Sequence, residues 1–197
     1  MKSFSMSFKE LLLQSAINDT KLYTEMSLRT SSNLDTLSNP NNHDTMYDSI
    51  INDGRFIQTN NIGLDVDIYS YKGQSDTNIA FIIKKKIAAI IEYEHINQNC
   101  IKIRYMNRNP NFKGIMTKIF IDILLKEYNE IISDNIQTSE AFLFYRRLFL
   151  IKNNLYEMYL FWDETGREEK IKNVEQMNIT YGDADGNYDI SYKIKRL

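Results

Sequence analysis

Ser133-Asp134-Asn135-Ile136-Gln137-Thr138-Ser139-Glu140-Ala141-Phe142-Leu143-Phe144-Tyr145-Arg146-Arg147-Leu148 is the stretch on which the fold turns. It follows Glu130-Ile131-Ile132, an apolar run that together with Ser133 predicts a short buried strand. Residues 134–137, polar apart from Ile136, then interrupt it. From residue 138 to 149 the period changes: Ala141, Phe142, Tyr145 and Leu148 recur three or four apart, which places them on one side of a helix.

Upstream the same change of period occurs once more. Ile115, Ile119, Ile123 and Leu124 predict a helix over residues 114–128. Before it the chain alternates. Leu64, Val66 and Ile68 are interleaved with Asp65 and Asp67, and Gly73-Gln74-Ser75-Asp76 supplies a turn. Residues 78–84, 87–95 and 100–106 are the next strands, with turns at 84–86 and 97–99. These form an antiparallel meander. Downstream of the opening stretch, residues 156–162 predict another strand.

The two ends differ from this centre. Ser7-Phe8-Lys9-Glu10 is a capping box, and Phe8, Leu11, Leu12 and Ala16 form one apolar stripe, so residues 7–17 predict a short amphipathic helix that must dock on something. Residues 27–45 are polar and turn-rich, an arm rather than a core element, and a short helix is expected near 45–51. At the other end, residues 177–181 and 188–195 alternate around Gly182-Asp183-Ala184-Asp185-Gly186-Asn187, which predicts a hairpin. Asp183, Asp185, Asn187 and Asp189 resemble a calcium loop in composition, but the glycine is misplaced and the flanks are strands, so no metal site is predicted. The expected organisation is an N-terminal helix and arm over 1–55, a core over 56–165 and a C-terminal hairpin extension over 166–197.

Composition narrows the function classes. Hydrophobic residues make up 43% and charged residues 25% of 197, enough for a real core. The net charge of -2 provides no global basic field for nucleic acid, and no clear nucleic-acid site is expected. The single cysteine, Cys100, allows no intrachain disulfide and sits in an apolar strand, where a packing role is expected. His43 and His95 have no metal-ligand spacing with it or with each other. No apolar run approaches the ~20 residues that span a bilayer, and Met1-Lys2-Ser3-Phe4 opens no signal sequence, so a chain free of membranes in a reducing cytoplasm is expected.

The order of strands, a turn into a helix, then strand, helix and strand over residues 64–162 resembles the GNAT N-acetyltransferase family, in the form that bacteriophages encode. The quoted Ser-Asp, polar cap and aromatic before a final Leu carry the resemblance, which covers about half of the chain. It implies an α+β fold: a mixed, mostly antiparallel sheet flanked by helices, splayed where residues 100–106 lie beside 130–133. It also implies that the loop after the first of these strands holds the coenzyme A pyrophosphate, where amides at a helix N-terminus face the phosphates. That loop is Asn111-Phe112-Lys113-Gly114-Ile115-Met116. Gly114 keeps the family pattern. Asn111 stands where Gln or Arg is usual and Met116 where a small residue is usual, so Met116 or Phe112 is expected to crowd the phosphates, with Lys113 and Lys118 as compensating charges.

Tyr145 matches the family tyrosine that protonates the departing thiolate. Its other reading is a core aromatic beside Phe142 and Leu148. Glu92 and Glu94, two apart on one strand face, are candidates for the general base, or else solvated strand carboxylates. Two functions follow. One is a phage virion structural or assembly protein with weak or lost catalysis and no cofactor, made in the host cytoplasm and carried into the virion, its arm held by other virion or assembly subunits in an oligomer. The 13 tyrosines and 10 phenylalanines suit such interfaces. The other is an N-acetyltransferase that uses acetyl-CoA to modify an unknown amine.

Overall fold

The computed structural model describes residues 43–52, 57–59, 66–72, 76–134, 139–151, 154–180 and 189–197. The helix expected at 7–17, residues 27–42 of the arm, the turn at 73–75 and the acidic loop at 182–187 lie outside the described residues. Nine strands form one sheet: β1 Ile57–Thr59, β2 Asp67–Lys72, β3 Asp76–Ile83, β4 Lys86–Asn97, β5 Cys100–Arg108, β6 Glu130–Ile132, β7 Tyr156–Trp162, β8 Arg167–Lys170 and β9 Ile190–Arg196. Their spatial order is β1-β2-β3-β4-β5-β6-β9-β7-β8. Only β5 and β6 run parallel; the other neighbouring pairs are antiparallel. The chain is therefore an α+β protein with a mixed, mostly antiparallel sheet flanked by helices.

Among the described residues three helices flank the sheet. α1 is His43–Asn52 and α3 is Ser139–Leu150. α2 follows Gly114 and is composite, with α-helical turns at Ile115–Ile119 and Leu125–Glu127 joined by a π-helical turn, Phe120–Leu124. In β3 the run Ile79-Ala80-Phe81-Ile82 is buried throughout because both of its faces are covered. Ile79 and Phe81 belong to the main core with Ile91, Ile101, Ile103, Ile119, Phe120, Leu124, Leu148 and Tyr192. Ala80 and Ile82 turn to the opposite side, where Ile50 and Tyr47 of α1 cover them together with Ile87 and Ile90.

The central crossing is short. Cys100, Ile101 and Lys102 pair with Glu130, Ile131 and Ile132, after which β6 ends while β5 runs on to Arg108. The two central strands thus part, as the splay implied by the family resemblance requires. Ser133 carries the β6–β9 pairing one residue further. Its amide donates to the Tyr192 carbonyl at 2.8 Å, and its Oγ accepts from the Tyr192 amide at 2.9 Å. The same hydroxyl donates to the Asp134 carbonyl at 2.8 Å.

The expected C-terminal hairpin does not form as read. Glu175–Thr180 is a 3-10 helix, and β9 pairs instead with β6 and β7 inside the sheet. Local side chains explain the first part. Asn173 Oδ1 accepts from the Gln176 amide at 3.0 Å, and Gln176 Oε1 accepts from the Lys172 amide at 2.6 Å, so the backbone closes a turn where alternation predicted a strand. Met177 is anchored within it by burial and by the Tyr192 hydroxyl, which donates to the Met177 carbonyl at 2.8 Å.

Ser133 is fully buried, and the Tyr192 amide faces its side chain. Ser133→Ala removes that acceptor and leaves a buried donor short of a partner, which costs roughly 1–2 kcal/mol. Urea unfolding followed by Trp162 fluorescence should show the midpoint fall by a corresponding amount with an unchanged slope. An unchanged midpoint would mean that the serine does not hold the β6–β9 junction.

Candidate functional site

The chain leaves β5 at Arg108 and enters α2 at Ile115, and Asn109 organises the turn between them. Asn109 is fully buried. Its amide donates to the Ala88 carbonyl at 3.0 Å and its Nδ2 to the Ile87 carbonyl at 3.0 Å, which fastens the loop to the start of β4. Its Oδ1 accepts from the Asn111 amide at 3.0 Å, and its carbonyl accepts from the Phe112 amide at 3.0 Å. An asparagine ahead of Pro110 is a turn-forming pair, which is the one signal in the sequence that marks it.

Gly114 ends the turn with φ 74°, ψ -5°, a left-handed conformation that suits glycine and no bulky residue. The Ile115 amide is spent on the Phe112 carbonyl at 3.3 Å. Met116 is 5% exposed and lies in the main core with Ile115 and Ile119. The crowding expected from Met116 is therefore absent: its side chain turns inward, since in the first helical turn this position faces the sheet. Phe112 is half-buried and packs on the same core. Asn111 and Lys113 are exposed. One further group was not marked by the sequence. The Thr117 hydroxyl, in the first turn of α2, is buried and has no hydrogen-bond partner.

The loop therefore has some of the parts an anionic group requires: a glycine in the left-handed region, an exposed lysine and the start of a helix, whereas the Thr117 hydroxyl is buried away from it. Gly114, half-buried, and Lys113, exposed, are the residues of this turn open to an anion. Asn111, where Gln or Arg is usual, has its amide turned back to Asn109.

The catalytic candidates do not converge. Tyr145 is 1% exposed. Its ring packs against Phe144, Tyr192 and Phe120, with centroids 5.1, 5.2 and 6.1 Å away. The hydroxyl has no hydrogen-bond partner. Burial pushes the phenol well above the ordinary tyrosine range, with the Asp134 carboxylate adding to the shift. Strand alternation sends Glu92 and Glu94 away from the core that holds Ile91, Tyr93 and Tyr145. Glu94 is committed to Arg104, with Arg104 Nη2 to Glu94 Oε1 at 2.7 Å. Glu92 is half-buried, between Asn78 and Tyr105 in the strand register. Among the described residues no hydrogen bond joins Tyr145 to either carboxylate.

Among the described residues no group of His, Cys, Asp and Glu is arranged to hold a metal ion, and no helix is long and apolar enough to cross a membrane. Cys100 is buried, and burial pushes its thiol up.

No family model matches the sequence, and no curated protein matches it. Among solved structures, the ribosomal-protein-S18-alanine N-acetyltransferase from Escherichia coli superimposes with a TM-score of 0.37 at 13% identity, covering 64% of this chain and 72% of that one.

Asn109 is the residue on which the loop depends. Asn109→Ala removes the side-chain donor to Ile87 and the acceptor for Asn111, and it should destabilise the protein by roughly 2 kcal/mol. Amide exchange of Asn111 and Phe112 should accelerate more than that of β3. Uniform acceleration across the sheet would show that Asn109 acts through global stability and not through the loop.

Proposed function

We propose that this chain uses a GNAT-like sheet as a binding or assembly platform in which acyl transfer is weak or lost, as would suit a subunit of a phage particle. The observation that carries this reading is the enclosure of Tyr145. A proton donor for a departing thiolate must reach the sulfur, and its acidity must not lie far below that of the thiol. Tyr145 is enclosed by Phe120, Phe144 and Tyr192, and its phenol is made a weaker acid by burial. The carboxylates that would serve as base face the other side of the sheet, and one of them is paired with an arginine. A hydroxyl without a partner in a packed aromatic cluster is what remains when a helix tyrosine serves packing.

A second reading, an acetyl-CoA-dependent N-acetyltransferase acting on an amine, draws support from one feature. Gly114 in the left-handed region, beside the exposed Lys113, keeps the form of an anion cradle at the end of β5.

Titration calorimetry with coenzyme A, a thiol-release assay with acetyl-CoA and a panel of amines, and the Tyr145→Phe variant separate the two. The platform reading expects no turnover above the solvent rate. It also expects Tyr145→Phe to be neutral or more stable by about 1 kcal/mol, because the variant deletes a buried hydroxyl that has no partner. Turnover by the natural chain that falls a hundredfold or more in Tyr145→Phe would establish the enzyme instead.

A further inference from the structure

Most cations on the central and far strands of the sheet are matched by carboxylates. Lys102 meets Asp163 at 2.9 Å, Arg104 meets Glu94 at 2.7 Å, and Lys193 meets Glu130 at 2.7 Å and Glu168 at 2.9 Å. At the end of the sheet where β3 turns into β4 this matching stops. Lys84, Lys85 and Lys86 are all exposed there. Register and hydrogen bonds bring two more cations to the same end. Arg108 lies opposite Ala89, and the loop that carries Lys113 is fastened to Ile87 and Ala88 through Asn109. At a strand rise of roughly 3.3 Å per residue, Lys86 and Arg108 stand about 10 Å apart along the strand direction. None of these five side chains has a carboxylate partner among the described residues. Among the described residues Asp67 of β2, opposite Ile82 of β3, is the carboxylate closest to them in the strand register.

The turn itself adds an independent observation. Ile83 pairs with Lys86, so Lys84-Lys85 is a two-residue hairpin loop, and both residues have positive φ, 50° and 60°. Such a loop favours Asn-Gly, since side chains with a Cβ are strained there. Two adjacent lysines at these positions keep charge at a conformational cost, and strain of this kind gathers at functional positions. Among the described residues the patch presents no exposed apolar anchor: its uncharged neighbours are the exposed Pro110 and Asn111 and the half-buried Phe112. A protein partner would be expected to need such an anchor, whereas a phosphodiester backbone is held by point charges and polar groups alone.

We propose that Lys84, Lys85, Lys86, Arg108 and Lys113 form a docking surface for the phosphate backbone of a nucleic acid. It works without a net positive charge on the protein because most of the other cations on the sheet are neutralised where they stand. Binding is independent of base sequence, since the patch offers charges and no groove-reading element.

The test is fluorescence anisotropy of the full chain with mixed-sequence oligonucleotides, in single-stranded DNA, single-stranded RNA and duplex arms. With four phosphates engaged, the logarithmic salt slope for a single strand is about -3, and affinity falls roughly 50-fold between about 50 and 200 mM salt. Lys84→Asn with Lys85→Gly removes two charges while giving the loop its preferred residues. This variant should melt higher than the natural chain, bind on the order of tenfold more weakly at low salt, and show about half the salt slope. Binding in any arm with that salt slope and that loss supports the surface. Three results overturn it: no binding in any arm, equal binding by the variant, or displacement of the strand by polyglutamate or by coenzyme A at matched charge concentration, which would assign the lysines to an acidic protein or to a nucleotide cofactor.

Discussion

Three residues join the two parts of this sheet. Glu130, Ile131 and Ile132 pair with β5 on one side and with β9 on the other. Among the described residues no other strand bridges the β1–β5 meander and the β9-β7-β8 group. So short a strand contributes few ladder bonds, and the junction is held mainly by what is packed on it. Ile131 is fully buried, Ser133 extends the pairing through its hydroxyl, and Phe120, Phe144, Tyr145 and Tyr192 fill the space beside it with edge-on and tilted ring contacts. The parting of β5 from β6 follows from this length, because β5 continues for six residues beyond its last partner on β6.

The aromatic filling has a direct chemical consequence. A tyrosine that helps close the junction cannot also face a substrate. The same packing that turns Tyr145 inward pushes its proton affinity up by removing water from the phenolate. The π-helical turn in α2 holds Phe120 against Phe144 and Tyr145, so the helix that starts at Gly114 takes part in the enclosure as well.

Charge is distributed in the complementary way. On the β6-β9-β8 side, Lys193 and Lys195 alternate with Glu130 and Glu168, and Lys193 also lies over the Phe161 ring at 5.0 Å. Lys193, buried, and Lys195, half-buried, sit among carboxylates and rings and couple the strands where apolar residues are few. This explains how Arg167–Lys170, four charged residues in a row, become a strand. A single solvent-facing pair would contribute little alone, but this network shares partners across three strands. It also leaves the unmatched cations at the opposite end of the sheet.

Periodicity in the sequence determined the elements of the centre. The strand at 156–162, the helix from Gly114 and the helix beginning near Ser139 follow from apolar spacing, because each element must bury one face or one stripe, whereas the setting of β5 beside β6 was implied by the family resemblance and not by the spacing. The need for glycine at 114 is equally local, since the backbone there is left-handed. The short helix expected near 45–51 is present as α1. Tertiary structure alone decided the rest. β8 has no apolar period to detect, and it exists because β7 and the lysines of β9 offer it bonds and opposite charges. Residues 177–180 alternate like a strand but curl, because Asn173 and Gln176 satisfy the backbone first and β9 finds its partners more than twenty residues away in sequence. Met116 looked like an obstacle to phosphate in the linear pattern, yet the direction of a side chain on a helix depends on where the sheet lies. Whether Tyr145 donates a proton or fills a core likewise depends on which residues surround it. Phe120 and Tyr192, at distant points of the chain, supply that answer only once the sheet has formed.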